Sequence, residues 1–362
     1  MRRLLRFLLY RPIVWFIVRY TSRPISSRVF SALTKLLREI SKGSLKKGPL
    51  IPFDPSDARF IIFSDQHKGA RNGADDFLLA EPNYLAALEY YNVNDFHFIS
   101  LGDNEEFWEN SLAEIKKHNV AVFAAEKKFL DRQAFTKIFG NHDLYWDNDP
   151  FASQQLKEIY GIEFPVYEGI VLSFQINNQR YSIFCTHGHQ GDTQSDGNWF
   201  SKMFISLVWG PLQSFLRINP NLPSTNDTLK TAHNQMMYEW SAKQTNLLLI
   251  TGHTHQPVFA SMTHYENIFY KLGIAREQKK ADVIAALEAE VKLHGYAEKN
   301  FGKLKPTYFN SGCCCFDDGD ITGIEIEGGK IRLIKWDGKK NGTSERVVLE
   351  EVGLEEVFLV AT

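Results

Sequence analysis

Between Arg59 and Pro257 the chain repeats one pattern: a short apolar run, then a polar turn carrying glycine. Arg59–Phe63, Phe96–Ser100, Ala134–Phe139, Tyr181–Cys185 and Leu247–Ile250 are each too short for a helix and are bounded by breakers, so they predict buried strands. Between them the spacing changes to that of helices. Phe77, Tyr84, Leu85 and Leu88 mark one over Asp75–Tyr91, and a second covers Ala113–Leu130. Strands alternating with helices predict β-α-β units and an α/β fold. Further on, Ala281–Leu293 predicts a charged helix and Phe309–Phe316 a strand, while Thr322–Trp336 alternates around Gly328-Gly329 as a hairpin.

The polar residues that stop these strands are chemically selective. The first strand ends in Asp65-x-His67, the second in Gly102-Asp103, and the third in Gly140-Asn141-His142-Asp143. The fourth runs into Thr186-His187-Gly188-His189, and the fifth into Gly252-His253-x-His255. Open α/β sheets place ligands outside the carboxyl ends of their strands. A mixed set of carboxylate, amide and imidazole donors there suits Mn²⁺, Fe²⁺ or Zn²⁺ better than Ca²⁺ or Mg²⁺.

At 362 residues, with 44% hydrophobic and 23% charged positions, the chain can build a large core. Its net charge of −2 hides an asymmetry. Residues 1–47 hold twelve Lys/Arg and one acid, a net of +11, whereas the rest holds 29 against 42, a net of −13. In that arm the longest charge-free apolar run, Pro12–Val18, is seven residues, far short of the roughly 20 needed to span a bilayer. Arg11, Arg19, Arg23 and Arg28 interrupt any signal-peptide core. Leu, Phe, Trp and Tyr interleaved with Arg compose an interfacial helix on anionic lipid. The competing reading is a basic amphipathic helix packed on the domain; nucleic-acid contact is the least favoured. Four cysteines, three of them consecutive (Cys313–Cys315), make no disulfide framework and predict a reducing compartment, the cytoplasm; the basic arm adds the expectation of a peripheral position on the inner membrane face.

Taken in order, Asp65-x-His67, Gly102-Asp103, Gly140-Asn141-His142-Asp143, His187 and Gly252-His253-x-His255 resemble the calcineurin-like metallophosphoesterases. The resemblance implies a four-layer α/β/β/α sandwich with two divalent metal ions, most naturally Mn²⁺. It implies that Asp65, His67, Asp103 and His255 hold one ion and that Asp103, Asn141, His187 and His253 hold the other. A hydroxide between the two ions would attack the phosphorus of a phosphoester or diphosphate. His142 would protonate the leaving oxygen or steady the phosphoryl oxygens, with Asp143 orienting its ring. The domain is expected over 57–340, with the arm before it (1–47) and a tail after it (341–362). A helical cap-like insertion is expected at about 192–245 and a second at about 275–302.

Other histidines read more plainly. His97 alternates with Phe96 and Phe98 as a structural residue, and His118, His233, His264 and His294 lack motif context. His189 is a candidate second-shell or substrate contact, Glu106 an outer support, and the cysteine triplet a set of small buried residues. The insertion's apolar face (Trp199, Phe200, Met203, Phe204, Leu207) either packs on the domain or receives an acyl chain. Ser64-Asp65-x-His67-x-Gly69 and Gly102-Asp103-x-x-Glu106-Phe107-Trp108 look most like the branch containing UDP-2,3-diacylglucosamine pyrophosphatases. A soluble protein phosphatase or nuclease of the same fold is one alternative, and a non-catalytic membrane-associated scaffold is another.

Overall fold

The computed structural model describes residues 24–72, 75–191, 227–294, 304–338 and 343–361. Its core is two seven-stranded sheets. One sheet runs β1 (Leu50–Pro52), β6 (Gly169–Ile176), β7 (Gln179–Thr186), β8 (Leu247–Thr251), β11 (Tyr308–Asn310), β9 (Val258–Phe259), β10 (Met262–Thr263). The other runs β14 (Ser344–Gly353), β13 (Lys330–Gly338), β12 (Ile321–Glu327), β2 (Arg59–Phe63), β3 (His97–Leu101), β4 (Phe135–Ile138), β5 (Val166–Tyr167).

The apolar runs are continuous because both faces of their strands are covered. On β2, Phe60 and Ile62 point into the layer between the sheets, while Ile61 and Phe63 point outward. On β8, Leu248 and Ile250 face inward, and Leu247 and Leu249 face the opposite exterior. Helices α2 (Glu81–Val93) and α4 (Val120–Asp131) cover the β2 side through Tyr84, Leu88, Val122 and Phe129. The β8 side is covered by α1 (Ser26–Ser41) and α7 (Asp227–Ser241), through Val29, Leu33, Leu36, Ile40, Met237 and Trp240. The result is the expected α/β/β/α sandwich.

Differences from the sequence reading have local causes. The helix expected over Ala113–Leu130 is two, α3 (Leu112–His118) and α4, separated at Asn119. The Asn119 amide donates to Ile115 O (2.9 Å) and to Gly69 O (2.8 Å), stapling the break to the loop after β2. Helix α2 starts at Glu81 rather than Asp75, because the Asp75 carboxylate accepts from the backbone N–H groups of Arg71, Phe77 and Leu78 and holds a turn. Residues 344–361, read as a tail, form the edge strand β14 and helix α10 (Leu354–Ala361), whose Leu354, Val357 and Phe358 are buried in the inter-sheet core. Between β4 and β5 stand α5 (Tyr145–Asn148) and α6 (Ala152–Tyr160). Helices α8 (His264–Glu277) and α9 (Ala281–His294) pack on each other, and α8 begins before residue 275 with a capping box between Thr263 and Glu266.

The part of the basic arm that is described packs on the domain. Val29, Leu33, Leu36 and Ile40 recur every three or four residues on one face of α1, and Trp240 Nε1 donates to Thr34 Oγ1 (3.0 Å). Met1–Arg23 and residues 192–226, with the apolar face predicted from Trp199 to Leu207, lie outside the described residues. Among the described residues no helix is long and apolar enough to cross a membrane. If α1 is part of the core, Leu33→Ala should lower unfolding free energy by about 2–5 kcal/mol, while Lys35→Ala on the opposite face stays within about 0.5 kcal/mol. Chemical denaturation of the two variants measures the difference; equal stabilities would show that α1 is only loosely attached.

Candidate metal centre

Strands β2, β3 and β4 are mutually parallel, as are β7 and β8. Their carboxyl ends meet at one place, so Asp65, His67, Asp103, Asn141, His187, His253 and His255 come together there. Their loops are cross-linked by backbone bonds. Asp65 N donates to Gly102 O (3.0 Å), His67 N to Asp103 O (2.9 Å), and Gly252 N to His187 O (3.0 Å). The His253 N–H in turn reaches Asp65 Oδ2 (2.9 Å), joining the two sheets.

The backbone is strained at these positions. Asp65 (φ 53°), His67 (50°), Asp103 (50°), His253 (70°) and His255 (55°) all occupy the left-handed region. Such non-glycine conformations cost on the order of 1–3 kcal/mol each and persist where the surroundings over-determine them. Here they turn side chains of adjacent loop residues toward one volume. Gly102 meets the same demand from the other side: its φ is +93°, and a Cβ there would lie 2.6 Å from the His187 ring.

The donor atoms form groups spaced as candidate metal ligands. His255 Nε2 is 3.2 Å from His67 Nε2 and 3.2 Å from Asp65 Oδ1. His187 Nε2 is 3.1 Å from Asp103 Oδ2 and 3.2 Å from Asn141 Oδ1. Donors about 2.1 Å from one ion and 90–110° apart are roughly 3.0–3.4 Å from each other. Donors of Asp103, His187 and His253 lie within 4.8 Å of one another, as do those of His67, Asp103 and His142. Asp103 is common to these two groups, a third joins His67, His255 and Cys315, and the donor chemistry fits divalent transition cations.

The protein's own charges are arranged accordingly. Burial opposes ionisation of Asp103, but His187, His142 and His67 hold its carboxyl well below the usual range. Asp65 is likewise lowered against burial, by His187 and His255. Burial disfavours charge on His67 and His187, yet neighbouring carboxylates raise each to about 9: Glu106 and Asp103 at His67, Asp103 and Asp65 at His187. His253 goes the other way, lowered by burial and by His233 and His187.

Glu106 is more than an outer support. Its Oε2 lies 2.7 Å from Nδ1 of both His67 and His142. Accepting an N–H hydrogen bond from His67 Nδ1 leaves that ring's Nε2 among the donors, 3.2 Å from His255 Nε2, and the same oxygen holds the His142 ring. The His142 ring also stacks on Trp108, 3.8 Å between centroids and 20° between planes, and Trp108 Nε1 donates to Asn141 O (3.0 Å). Asp143 does not take the orienting role expected of it. Its carboxylate accepts from the Asn104 N–H, the Asn104 amide and the Gly140 N–H, and so holds the β3 and β4 loops together. Burial, then Glu105 and Asp103, raises it to about 6.

Behind these loops lies a buried ionic cluster absent from the sequence reading. Lys68 Nζ sits 2.7 Å from Glu126 and 3.1 Å from Glu105, and Lys137 Nζ sits 2.8 Å from Glu105. Tyr84 and Tyr160 hydroxyls donate to Glu126, and Trp146 Nε1 donates to Glu105. Burial disfavours the Glu105 charge, but Lys137 and Lys68 outweigh it and hold the carboxyl at about 2.

Two further histidines border the site. His233 on α7 is buried, with Nε2 3.0 Å from Gly188 O and its ring 5.0 Å from that of His253. His189 is buried 5.4 Å from the His187 ring, with no Nδ1 partner among the described residues, and burial followed by His187 depresses it to about 3. His97 is structural, its Nε2 2.8 Å from Thr136 Oγ1. Removing the shared acceptor tests the role of Glu106. Glu106→Ala should weaken divalent-cation binding by about 10–100-fold in titration calorimetry, and unchanged affinity would refute it.

The calcineurin-like phosphoesterase family model matches residues 58–257. Among solved structures, Vacuolar Protein Sorting 29 from Cryptosporidium parvum aligns with 14% identity and a TM-score of 0.32, covering 82% of this chain and 98% of its own. Vps29 from Entamoeba histolytica aligns at 13% and 0.30, covering 80% and 98%. A 5'-nucleotidase structure from Staphylococcus aureus aligns at 13% and 0.31, covering 82% and 54%. No curated protein matches in sequence. The family match spans the strands and loops that carry all seven donors, and the chain belongs to the calcineurin-like phosphoesterases, hydrolases of phosphoric esters.

Proposed function

We propose that the chain is a dinuclear metallophosphoesterase whose substrate is a lipid-linked or sugar-nucleotide diphosphate met at the inner membrane surface, as in the UDP-2,3-diacylglucosamine pyrophosphatase branch. The observation that carries it is the shared position of Asp103 between two donor groups. Asp65, His67, Asp103 and His255 would hold one cation, and Asp103, Asn141, His187 and His253 the other. Mn²⁺ is the best candidate, with Fe²⁺ or Zn²⁺ the next. When bound, the pair supplies Lewis acidity toward a phosphoryl oxygen and makes a hydroxide nucleophile available near neutral pH.

The remaining work falls to the chain's own side chains. Glu106 fixes the rings of His67 and His142 through their Nδ1 atoms. With Nδ1–H held by Glu106, His142 would donate from Nε2 when both ring nitrogens carry protons, giving a proton to the leaving oxygen or a hydrogen bond to a phosphoryl oxygen. Trp108, stacked against that ring, fixes its plane and excludes water from one face.

A membrane-linked substrate is supported by where two segments leave the domain. Gly191, four residues beyond His187, packs so closely on α1 that a Cβ there would meet Arg28 C and O at 2.8 Å. Gly191 and Arg28, the one next to the insertion and the other within a few residues of segment 1–23, are therefore close in the described structure. Residues 1–23, Arg with Leu, Phe and Trp, have the composition of a segment that binds anionic lipid, and the insertion adds apolar positions such as Trp199, Phe200, Phe204 and Leu207 that could receive an acyl chain.

The test has two parts. With Mn²⁺ the chain should hydrolyse bis-p-nitrophenyl phosphate, and Asp103→Ala should lower that rate by at least about 100-fold; equal rates would end the catalytic reading. In vesicles, an acylated sugar nucleotide should outcompete its unacylated form, and deleting residues 1–23 should lower only the vesicle activity. No preference for the acyl chains would instead point to a soluble ester.

A further inference from the structure

Each ring that ligates through Nε2 must carry its proton on Nδ1, and that N–H needs an acceptor. His67 gives it to Glu106 (2.7 Å) and His187 gives it to Leu101 O (3.0 Å). His255 is different. Its Nε2 faces His67 and Asp65, but on the opposite edge of the ring the Nδ1 partner is a sulfur, Cys315 Sγ at 3.7 Å. Cys313 also lies against the same ring.

The cysteine segment is held for this contact. Strand β11 ends at Asn310, whose amide donates to Gly252 O (2.7 Å) and whose Oδ1 accepts from Gly312 N (2.9 Å). Gly312 turns the chain at φ +74°. Cys314 N then donates to Asp65 O (3.1 Å), and Thr322 N to Cys313 O (3.0 Å). The triplet therefore follows the turn rather than continuing the strand. Cys314 enters the outer core with Phe63 and Tyr84, and Cys315 is turned to His255.

We infer that Cys315 is a positioning residue for His255, its sulfur accepting the Nδ1–H bond that leaves the Nε2 lone pair directed at the cation. The inference rests on the metal role proposed for His255. A thiol donating S–H to Nδ1 would force the proton onto Nε2, where it would point at His67 Nε2 and block ligation. Of these two hydrogen-bond arrangements, the sulfur-as-acceptor one leaves His255 Nε2 free for a cation. The site's cation affinity thus depends on a soft, oxidisable group where related histidines have oxygen acceptors.

Cation affinity should be measured by titration calorimetry with Mn²⁺ on the full chain, on Cys315→Ala and on Cys315→Asn, whose side-chain oxygen can accept the same bond. Melting of the metal-free proteins checks that each variant folds. The expected result is an affinity about 10–100-fold lower for Cys315→Ala, substantially recovered in Cys315→Asn. Wild-type affinity in a folded Cys315→Ala would overturn the role of the sulfur while leaving the metal reading intact; a wild-type chain that binds no cation would overturn both. A second measurement is independent of folding losses. Long-range nitrogen–proton correlation spectra of the Zn²⁺-loaded wild type should show His255 protonated at Nδ1, and protonation at Nε2 would refute the inference.

Discussion

Everything near the site depends on keeping the buried Asp103 carboxylate ionised. Its Oδ1 accepts from the His142 N–H (2.8 Å), its Oδ2 faces His187 (3.1 Å) and, farther off, His67 (3.8 Å). A lone buried carboxylate would take up a proton, since desolvation costs several kcal/mol. Surrounding it with imidazoles and a backbone donor keeps the charge, and that charge is what can be shared by two cations. The close approach of His187 to Gly102 and of the β4 loop at Gly140 follows from the same need for contact distance.

Such crowding opposes folding locally, through five left-handed backbone positions and several buried charges. The stabilising counterweight lies directly behind. Glu105 and Glu126, paired with Lys68 and Lys137, tie the loop after β2 to that after β3, to β4 and to α4. Lys68 is next to His67 and Glu105 is two residues from Asp103, so the ligands and their anchors share the same short loops. Breaking one such buried pair typically costs about 3–5 kcal/mol. Rigid placement of the donors is thereby coupled to the stability of the β2–β3–β4 layer.

Much of this was legible in the sequence because strand ends punctuate it. Apolar runs such as Leu247–Ile250 revealed buried strands, and the Asp, Asn and His that stop them were the donors the structure gathers. Legibility failed where partners are distant in sequence. Nothing in the spacing ties Lys68 to Glu126 or Cys315 to His255, and Cys315 was hidden by extending β11 through a turn that Asn310 and Gly312 impose. His142 was read with its neighbour Asp143, but the strand-end geometry sends Asp143 toward Asn104 and leaves the ring to Glu106. His233 had no local motif because a helix more than forty residues downstream carries it to Gly188.

On the proposed reading the Asp103 carboxylate is common to two cations. Loading the chain with Mn²⁺ and recording its metal content together with its electron paramagnetic resonance spectrum tests this most directly. Two equivalents per chain with the spectrum of an exchange-coupled pair, as expected for ions roughly 3.5–4 Å apart, is the predicted result. One equivalent with the spectrum of an isolated ion, or none, would contradict the account.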